Sequence, residues 1–176
     1  MKYIPIPRGR ILAIDPMNKG FGFVVLESDP LQLVDWGTAI CRRTDDSLGA
    51  SVRTLLDRYS PTMLALENPN TSHSQARRTA LSISLDVISS ALDGAIPLRL
   101  IARRRIFRAF GAYGASTKEE IASVLVERFS ELRPKLPPHR SIYDSEDSRT
   151  AIFDALALAV VAIDGLGSPY RENTTS

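Results

Sequence analysis

The chain has 176 residues, with 22 lysines and arginines against 20 aspartates and glutamates and a formal net charge of +2. This length suits one domain, and a hydrophobic content of 44% excludes a mostly disordered chain. The single cysteine excludes an internal disulfide and a cysteine-rich zinc site, and it favours a reducing compartment.

The two ends of the chain differ in composition from the segment between them. Residues 1–10 include two prolines and lack the apolar stretch of a signal peptide. The longest apolar run, 151–163, is too short to cross a membrane. We therefore expect an irregular lead-in at 1–10, a single domain at 11–166, a loose polar tail at 167–176, no membrane partner and, by default, a cytoplasmic location.

The first forty residues predict three strands. The apolar run 11–15 ends in a charge followed by proline, which is typical of a short buried strand. Segments 20–27 and 32–40 are rich in strand-forming residues and are joined by a Ser-Asp-Pro turn sequence. Together they predict an antiparallel meander that follows the first strand.

The rest of the chain predicts alternating helices and strands. Strands are expected at 63–67 and 98–102, and helices at 45–59, 74–92 and 151–163. A further helix is predicted to begin at a capping box over 116–119 and to end before Pro134, with a long polar loop at 134–147. The pattern predicts an α/β fold with a mixed sheet, three antiparallel strands followed by parallel strands, and helices on both faces.

Two acidic residues lie at the ends of predicted strands. Asp15 ends the strand at 11–15, and Glu67 ends the strand at 63–67. If these strands are parallel neighbours, both side chains emerge at the same C-terminal edge, where open α/β sheets bind ligands. The alternative is that each acid simply begins a solvated loop.

Asp154 is the only polar residue in the run 151–163. A buried unpaired carboxylate costs several kcal/mol, so Asp154 needs a cationic side chain, hydrogen-bond donors or a metal ion. With Asp15 and Glu67 it would form a cluster of like charges that cations must neutralise. Mg²⁺, which prefers oxygen ligands, is the leading candidate, and a salt bridge to an arginine is the alternative for Asp154 alone.

Asp147 is a possible fourth acid. It precedes Asp154 by seven residues, which is two helical turns, or about 10.5 Å at roughly 1.5 Å per residue. A direct metal ligand at that distance requires the helix to begin after Asp147. The alternative role is a helix N-cap.

Basic residues cluster close to the predicted acidic edge. Four arginines directly follow the strand at 98–102, namely Arg103, Arg104, Arg105 and Arg108. Earlier in the chain lies the pair Arg77 and Arg78, and Lys118 is at the start of a predicted helix. Clustered positive charge around an acidic metal site is typical of contacts with a phosphate backbone. The alternative is a solvated face that keeps the protein soluble.

Six short motifs follow one another in a recognisable order. They are Ile-Leu-Ala-Ile-Asp-Pro at 11–16, Gly-Phe-Gly at 20–22, Leu-Ala-Leu-Glu at 64–67, the basic stretch through Gly111, Gly114-Ala115, and Asp-Ala-Leu-Ala-Leu-Ala at 154–159. This ordered set, which covers most of the chain, resembles the RuvC-like Holliday junction resolvases of the RNase H-like superfamily.

The resemblance implies a nuclease. In the family, the positions of Asp15, Glu67 and Asp154 bind two Mg²⁺ ions that hydrolyse a phosphodiester bond in branched DNA such as a Holliday junction, and we expect Mn²⁺ to substitute. Lys118 matches a basic residue that holds or polarises the DNA near the cut. The resemblance also implies a homodimer.

Three positions depart from the family pattern. The usual acid three residues before the helix aspartate is replaced by Ala151, the glycine after the first Asp-Pro by Met17, and the aromatic residue after the strand-end glutamate by Asn68. Two alternative functions therefore stay open. One is a nuclease that processes structured RNA such as ribosomal RNA precursors, and the other is a non-catalytic nucleic-acid-binding protein that retains the fold.

Overall fold

The computed structural model describes residues 9–40, 47–69, 78–137 and 148–164. Its strands are β1 (Arg10–Met17), β2 (Gly20–Ser28), β3 (Leu31–Ile40), β4 (Met63–Glu67) and β5 (Leu98–Ile101). Its α-helices are α1 (Ser47–Tyr59), α2 (Arg78–Asp93), α3 (Arg103–Gly111), α4 (Lys118–Arg128) and α5 (Ser148–Asp164), and a 3-10 helix spans Ser130–Lys135.

The five strands form one mixed sheet in the order β3-β2-β1-β4-β5. Strands β1, β2 and β3 are antiparallel neighbours, whereas β1–β4 and β4–β5 are parallel. This arrangement confirms the predicted mixed sheet. Because Ile14 of β1 is paired with Leu66 of β4, the next residues, Asp15 and Glu67, reach the same edge of the sheet.

Helices cover both faces of the sheet, as predicted. One core cluster contains residues of α1 and α2, and the other contains residues of α3, α4, α5 and the 3-10 helix. Ile11 and Ala13 of β1 belong to the α5 side, and since side chains alternate along a strand, Asp15 points to that side too. The same alternation places Glu67, two residues after Ala65, on the α5 side.

Helix α5 is buried over most of its surface. Every apolar residue from 151 to 163 is at most 8% exposed, which explains the long apolar run, because the helix packs on β1 and β2 in the centre of the molecule. None of the helices in the described ranges is long and apolar enough to cross a membrane.

Gly22 allows α5 to lie close to the sheet. A Cβ atom on Gly22 would lie 2.4 Å from the carbonyl carbon of Ala151, a separation that real Cβ atoms do not reach. In the β1–β2 pair, Gly22 is opposite Asp15. The Gly-Phe-Gly motif therefore has a packing role, which is to bring the first turns of α5 next to the strand that carries Asp15.

Arg99 of β5 contacts the C-terminal end of α5. Its Nη1 donates a hydrogen bond of 2.9 Å to the carbonyl oxygen of Ala162, in the last turn of the helix, where cations are favoured by the helix dipole. Burial lowers the pKa of the Arg99 guanidinium, and the charge of Arg105 lowers it further. No local pattern in the sequence indicates this contact.

Three local predictions were wrong. The arginine-rich segment after β5 forms helix α3, which was absent from the predicted order; its apolar residues Ile106 and Phe110, four apart, are buried. The capping box of α4 consists of Thr117 and Glu120, one residue later than predicted. Helix α4 ends at Arg128, so that Pro134 lies inside the 3-10 helix and does not end α4.

Other predictions fall wholly or partly outside the described ranges. They concern the lead-in before residue 9, the first residues of the helices predicted at 45–59 and 74–92, the loop after residue 137 and the tail at 167–176.

Candidate active site

Three acidic side chains meet in one pocket on the α5 side of the sheet edge. Asp15 comes from the end of β1, Glu67 from the end of β4 and Asp154 from α5. Two cationic residues, Arg103 and Lys118, line the same pocket. Its apolar lining consists of Ile106, Phe107, Ile121 and Leu158, which the sequence analysis did not single out. The predicted acids are therefore neighbours, although they lie as many as 139 residues apart in the chain.

Glu67 is held by Arg103 through two hydrogen bonds. Nε of Arg103 donates to Oε1 at 2.9 Å, and Nη2 donates to Oε2 at 2.7 Å. The pairing follows from the sheet: Glu67 is opposite Ile101 in the parallel β4–β5 pair, and Arg103 begins α3 two residues later. Hydrogen bonding to Glu67 raises the pKa of Arg103, against the opposing effect of burial.

Asp154 is held by Lys118. The Lys118 Nζ donates to Oδ2 of Asp154 at 2.6 Å, so the cation beside this half-buried carboxylate is a lysine and not an arginine. Lys118 is the first residue of α4, and the start of that helix is fixed by the Thr117 capping box. Burial lowers the pKa of Lys118, but the charge of Asp154, this hydrogen bond and the charge of Asp15 together raise it, and the net pKa is raised.

Asp15 is the most deeply buried of the three acids, with 7% of the residue exposed. Burial is the largest cause of its raised pKa, followed by the negative charge of Asp154; Lys118 and Arg103 oppose this shift, and Glu67 adds to it. Among the described residues that line the pocket, three are carboxylates and two are cationic. This balance of charge favours a further proton or cation near Asp15.

The donor set suits a hard divalent cation, since the acids offer only oxygen atoms. In the arrangement described, Glu67 and Asp154 are turned to Arg103 and Lys118, and no three acidic, histidine or cysteine side chains within the described ranges form a metal-holding group. The chemistry of the residues therefore fits a metal ion, whereas two of the three carboxylates are engaged by internal cations.

Three positions at or near the start of α5 bear on the predicted fourth acid. Asp147 lies outside the described residues, and α5 begins at Ser148. Ala151 is buried against Gly22. Thr150, one turn before Asp154, is also buried, and its Oγ1 has no hydrogen-bond partner among the described residues. No motif in the sequence indicates a role for Thr150.

The arginine cluster divides into residues with different surroundings. Arg103 belongs to the pocket, Arg104 and Arg108 lie exposed on α3 four residues apart, and Arg105 is half-buried. Arg77 lies outside the described residues. Arg78 begins α2, and its side chain is not among those described.

No protein-family model and no curated protein match this chain. Solved structures do match. Thermus thermophilus RuvC superposes with a TM-score of 0.64 at 18% identity, covering 92% of this chain and 99% of that one. RuvC from T. thermophilus in complex with a Holliday junction substrate gives 0.61 at 17% identity over 86% of this chain and 91% of that one.

A viral enzyme has the same architecture. The fowlpox virus resolvase, in complex with Holliday junction DNA, gives a TM-score of 0.54 at 13% identity, covering 89% of this chain and 99% of that one. The sheet order and the helices on both faces agree with this likeness. The chain therefore has an RNase H-like fold of the kind found in RuvC and other Holliday junction resolvases.

Proposed function

We propose that this chain is a divalent-metal-dependent endonuclease that hydrolyses phosphodiester bonds in branched DNA such as Holliday junctions. The observation that carries the proposal is the convergence of Asp15, Glu67 and Asp154 in one pocket at the carboxyl edge of the central strands. The neighbours with the same fold include RuvC and a viral resolvase, both described with Holliday junction DNA.

The residues of the pocket have separate roles in this proposal. Asp15, Glu67 and Asp154 would hold two Mg²⁺ ions, or Mn²⁺ in their place, and such ions offset charge on the phosphate and help ionise the attacking water. Lys118 positions the Asp154 carboxylate and keeps a positive charge beside the scissile phosphate. Because a reducing compartment suits the single cysteine, we place this activity in the cytoplasm.

In this proposal, the exposed arginines of α3 bind the phosphate backbone of the DNA. Arg104 and Arg108 are four residues apart on one helix, so they lie on the same face. The helix begins at Arg103, a residue of the pocket. A strand of DNA that follows this face would be led towards the carboxylates.

The decisive experiment compares nucleic-acid substrates under one set of conditions. Labelled four-way junction, flap, duplex DNA and structured RNA are incubated with the purified chain in Mg²⁺, Mn²⁺ or EDTA, with Asp154→Asn as the matched control. We expect cleavage of branched DNA that needs the metal and is lost in the variant. Preferential cleavage of structured RNA would assign the chain to RNA processing instead, and equal activity of the variant would exclude this pocket.

A non-catalytic role is a second candidate, favoured by two observations. Ala151 replaces the fourth acid of the family pattern, and Glu67 and Asp154 are already paired with cations. A protein of this kind would bind the junction in the same experiment and leave it intact in both metals.

We further propose that the active form is a homodimer. Helix α2 exposes three leucines on its outer surface, Leu81 (42%), Leu85 (57%) and Leu92 (76%). Their spacing of four and seven residues places them on one side of the helix. Association through this side would also provide two active sites for two cuts in a junction.

A further inference from the structure

We propose that Arg103 gates metal binding: it competes with a divalent cation for Glu67, and a nucleic-acid phosphate that binds Arg103 releases the carboxylate. This inference rests on the proposed function, because it assigns a regulatory contact within the proposed metal site. It predicts that nucleic acid and metal bind cooperatively through one side chain.

Arg103 is hydrogen-bonded to both oxygens of Glu67. Its two hydrogen bonds, of 2.9 and 2.7 Å, engage Oε1 and Oε2 separately. The Glu67 side chain is only 13% exposed, so little of it is left for another partner. Two parallel charged hydrogen bonds are a strong arrangement. A metal ion that binds Glu67 must therefore share oxygens that already accept from Arg103, and the nearby guanidinium charge opposes it.

Arg103 has an alternative partner within reach. Its side chain is 42% exposed, and it lies at the start of α3, directly before the exposed Arg104. The fork of a guanidinium matches phosphate as well as it matches carboxylate. A DNA backbone that contacts α3 can take Arg103 from Glu67 without any change in the fold.

The net charge of the pocket changes when Arg103 leaves Glu67. With Arg103 and Lys118 in place, the described residues of the pocket include one carboxylate more than they have cationic side chains. When Arg103 turns outward, the described residues of the pocket have two more carboxylates than cationic side chains. This larger negative charge attracts a divalent cation more strongly. The same linkage works in reverse, because a cation on Glu67 leaves Arg103 free for phosphate.

Lys118 differs from Arg103 in this respect. The Lys118 side chain is 27% exposed, and it stands at the capped start of α4. Its hydrogen bond engages one oxygen of Asp154. We therefore assign the exchange to Arg103.

The first test measures metal binding without nucleic acid, by calorimetric titration of Mn²⁺ into the metal-free protein. Arg103→Gln should bind Mn²⁺ about tenfold more tightly than the wild type, as expected when a charged hydrogen-bonded competitor is removed. Arg103→Lys, which keeps the charge but not the fork, should fall between the two. Arg104→Gln, the control with the same loss of charge one residue away, should stay within about twofold of the wild type.

The second test measures junction binding in EDTA, where cleavage does not interfere. Glu67→Gln should bind a labelled four-way junction several-fold more tightly than the wild type, because Arg103 is no longer held. The double variant Glu67→Gln with Arg103→Gln should lose this gain. Circular dichroism of each variant checks that the fold is retained.

The outcomes separate this inference from the proposed function. Unchanged or weaker Mn²⁺ binding by Arg103→Gln, or no gain in junction binding by Glu67→Gln, would overturn the gate even if the wild type cleaves DNA. Tighter Mn²⁺ binding by Arg103→Gln together with the Glu67→Gln gain would establish the gate, even if no substrate is cleaved.

Discussion

At the residue scale, the three acids of the pocket are not equivalent. Glu67 and Asp154 each have a cationic partner at hydrogen-bond distance, whereas burial, followed by the negative charge of Asp154, raises the pKa of Asp15. Substitution of Asp15 therefore relieves a penalty, while substitution of either of the others leaves a cation without its partner. Stability measured without metal distinguishes these roles before any activity is assayed.

Asp15→Asn is expected to stabilise the metal-free protein at neutral pH. The folded state binds the Asp15 proton more tightly than the unfolded state does, so ionisation costs stability as pH rises from about 3.9, the unfolded pKa, through the folded pKa. The substitution should raise the melting temperature by at least about 2 °C at pH 7 to 8, the shift for roughly 1 kcal/mol in a domain of this size. Thermal unfolding followed by circular dichroism measures this.

The gain should disappear at low pH. Below the unfolded pKa the Asp15 carboxyl is protonated in both states, and the wild type then carries no penalty to relieve. A variant that is less stable than the wild type at neutral pH would show that Asp15 makes a favourable charged contact.

At the element scale, α3 joins the pocket to the outer surface. Its buried residues Ile106 and Phe110 fix the helix on the core, Arg103 enters the pocket, and Arg104 and Arg108 face outward. One short helix therefore carries two kinds of arginine.

We expect Arg104→Ala with Arg108→Ala to weaken junction binding and to reduce its dependence on salt. Removing one arginine that binds a phosphate lowers the slope of log K against log salt by about 0.9 for duplex DNA, so removing both lowers it by about 1.8. Fluorescence anisotropy over a series of salt concentrations in EDTA measures the slope. The control is Arg133→Ala, an exposed arginine of the 3-10 helix. A slope equal to that of the wild type would leave these two arginines as a solvated surface.

The contact between β2 and α5 is a second element-scale feature that can be tested. Gly22→Ala places a Cβ 2.4 Å from the backbone of Ala151, so α5 must move away from the sheet. We expect a loss of about 1–3 kcal/mol in the free energy of unfolding, the usual cost of overpacking, measured by urea denaturation.

Gly111→Ala is the matched control for that substitution. Apart from its chain neighbours and the backbone of its own helix, no described atom lies within 4 Å of a Cβ at Gly111, and alanine is a better helix former than glycine by roughly 1 kcal/mol. This variant should be as stable as the wild type or more stable. If Gly22→Ala were equally harmless, the close approach of α5 to β2 would not be needed.

At the scale of the whole molecule, the outer surface of α2 predicts self-association. Leu85→Glu introduces a charge into the exposed row of leucines, and we expect it to convert a dimer into a monomer. Size-exclusion chromatography with light scattering at micromolar concentration measures the mass. Ile40→Glu, at another exposed apolar residue on β3, is the control and should leave the dimer intact. A wild type that is monomeric at these concentrations would contradict the prediction.

The sequence by itself predicted a mixed sheet with three antiparallel strands followed by parallel strands, and it singled out the three acids that line the pocket. These features depend on short-range patterns: an apolar run ended by Asp15 or Glu67, and a single carboxylate in the apolar run 151–163. Burial of a single strand or a single helix is enough to explain each of these apolar runs, so the runs can be interpreted without knowing which distant residues they contact.

Other features depended on contacts that local patterns do not encode. Ser116 with Glu119 and Thr117 with Glu120 both fit a capping box, and only the extended backbone at Thr117 selects the second pair. Helix α3 is short and rich in arginine, so its apolar side becomes evident only against the core.

Only the tertiary structure decided which cation faces which acid. Glu67 and Arg103 are 36 residues apart, as are Lys118 and Asp154. Their pairing follows from the register of β4 with β5 and from the position at which α4 begins beside α5. The sequence lists the charged residues but not the distances between them. Those distances are set by how the strands and helices pack, and the electrostatics of the site depend on differences of a few ångströms.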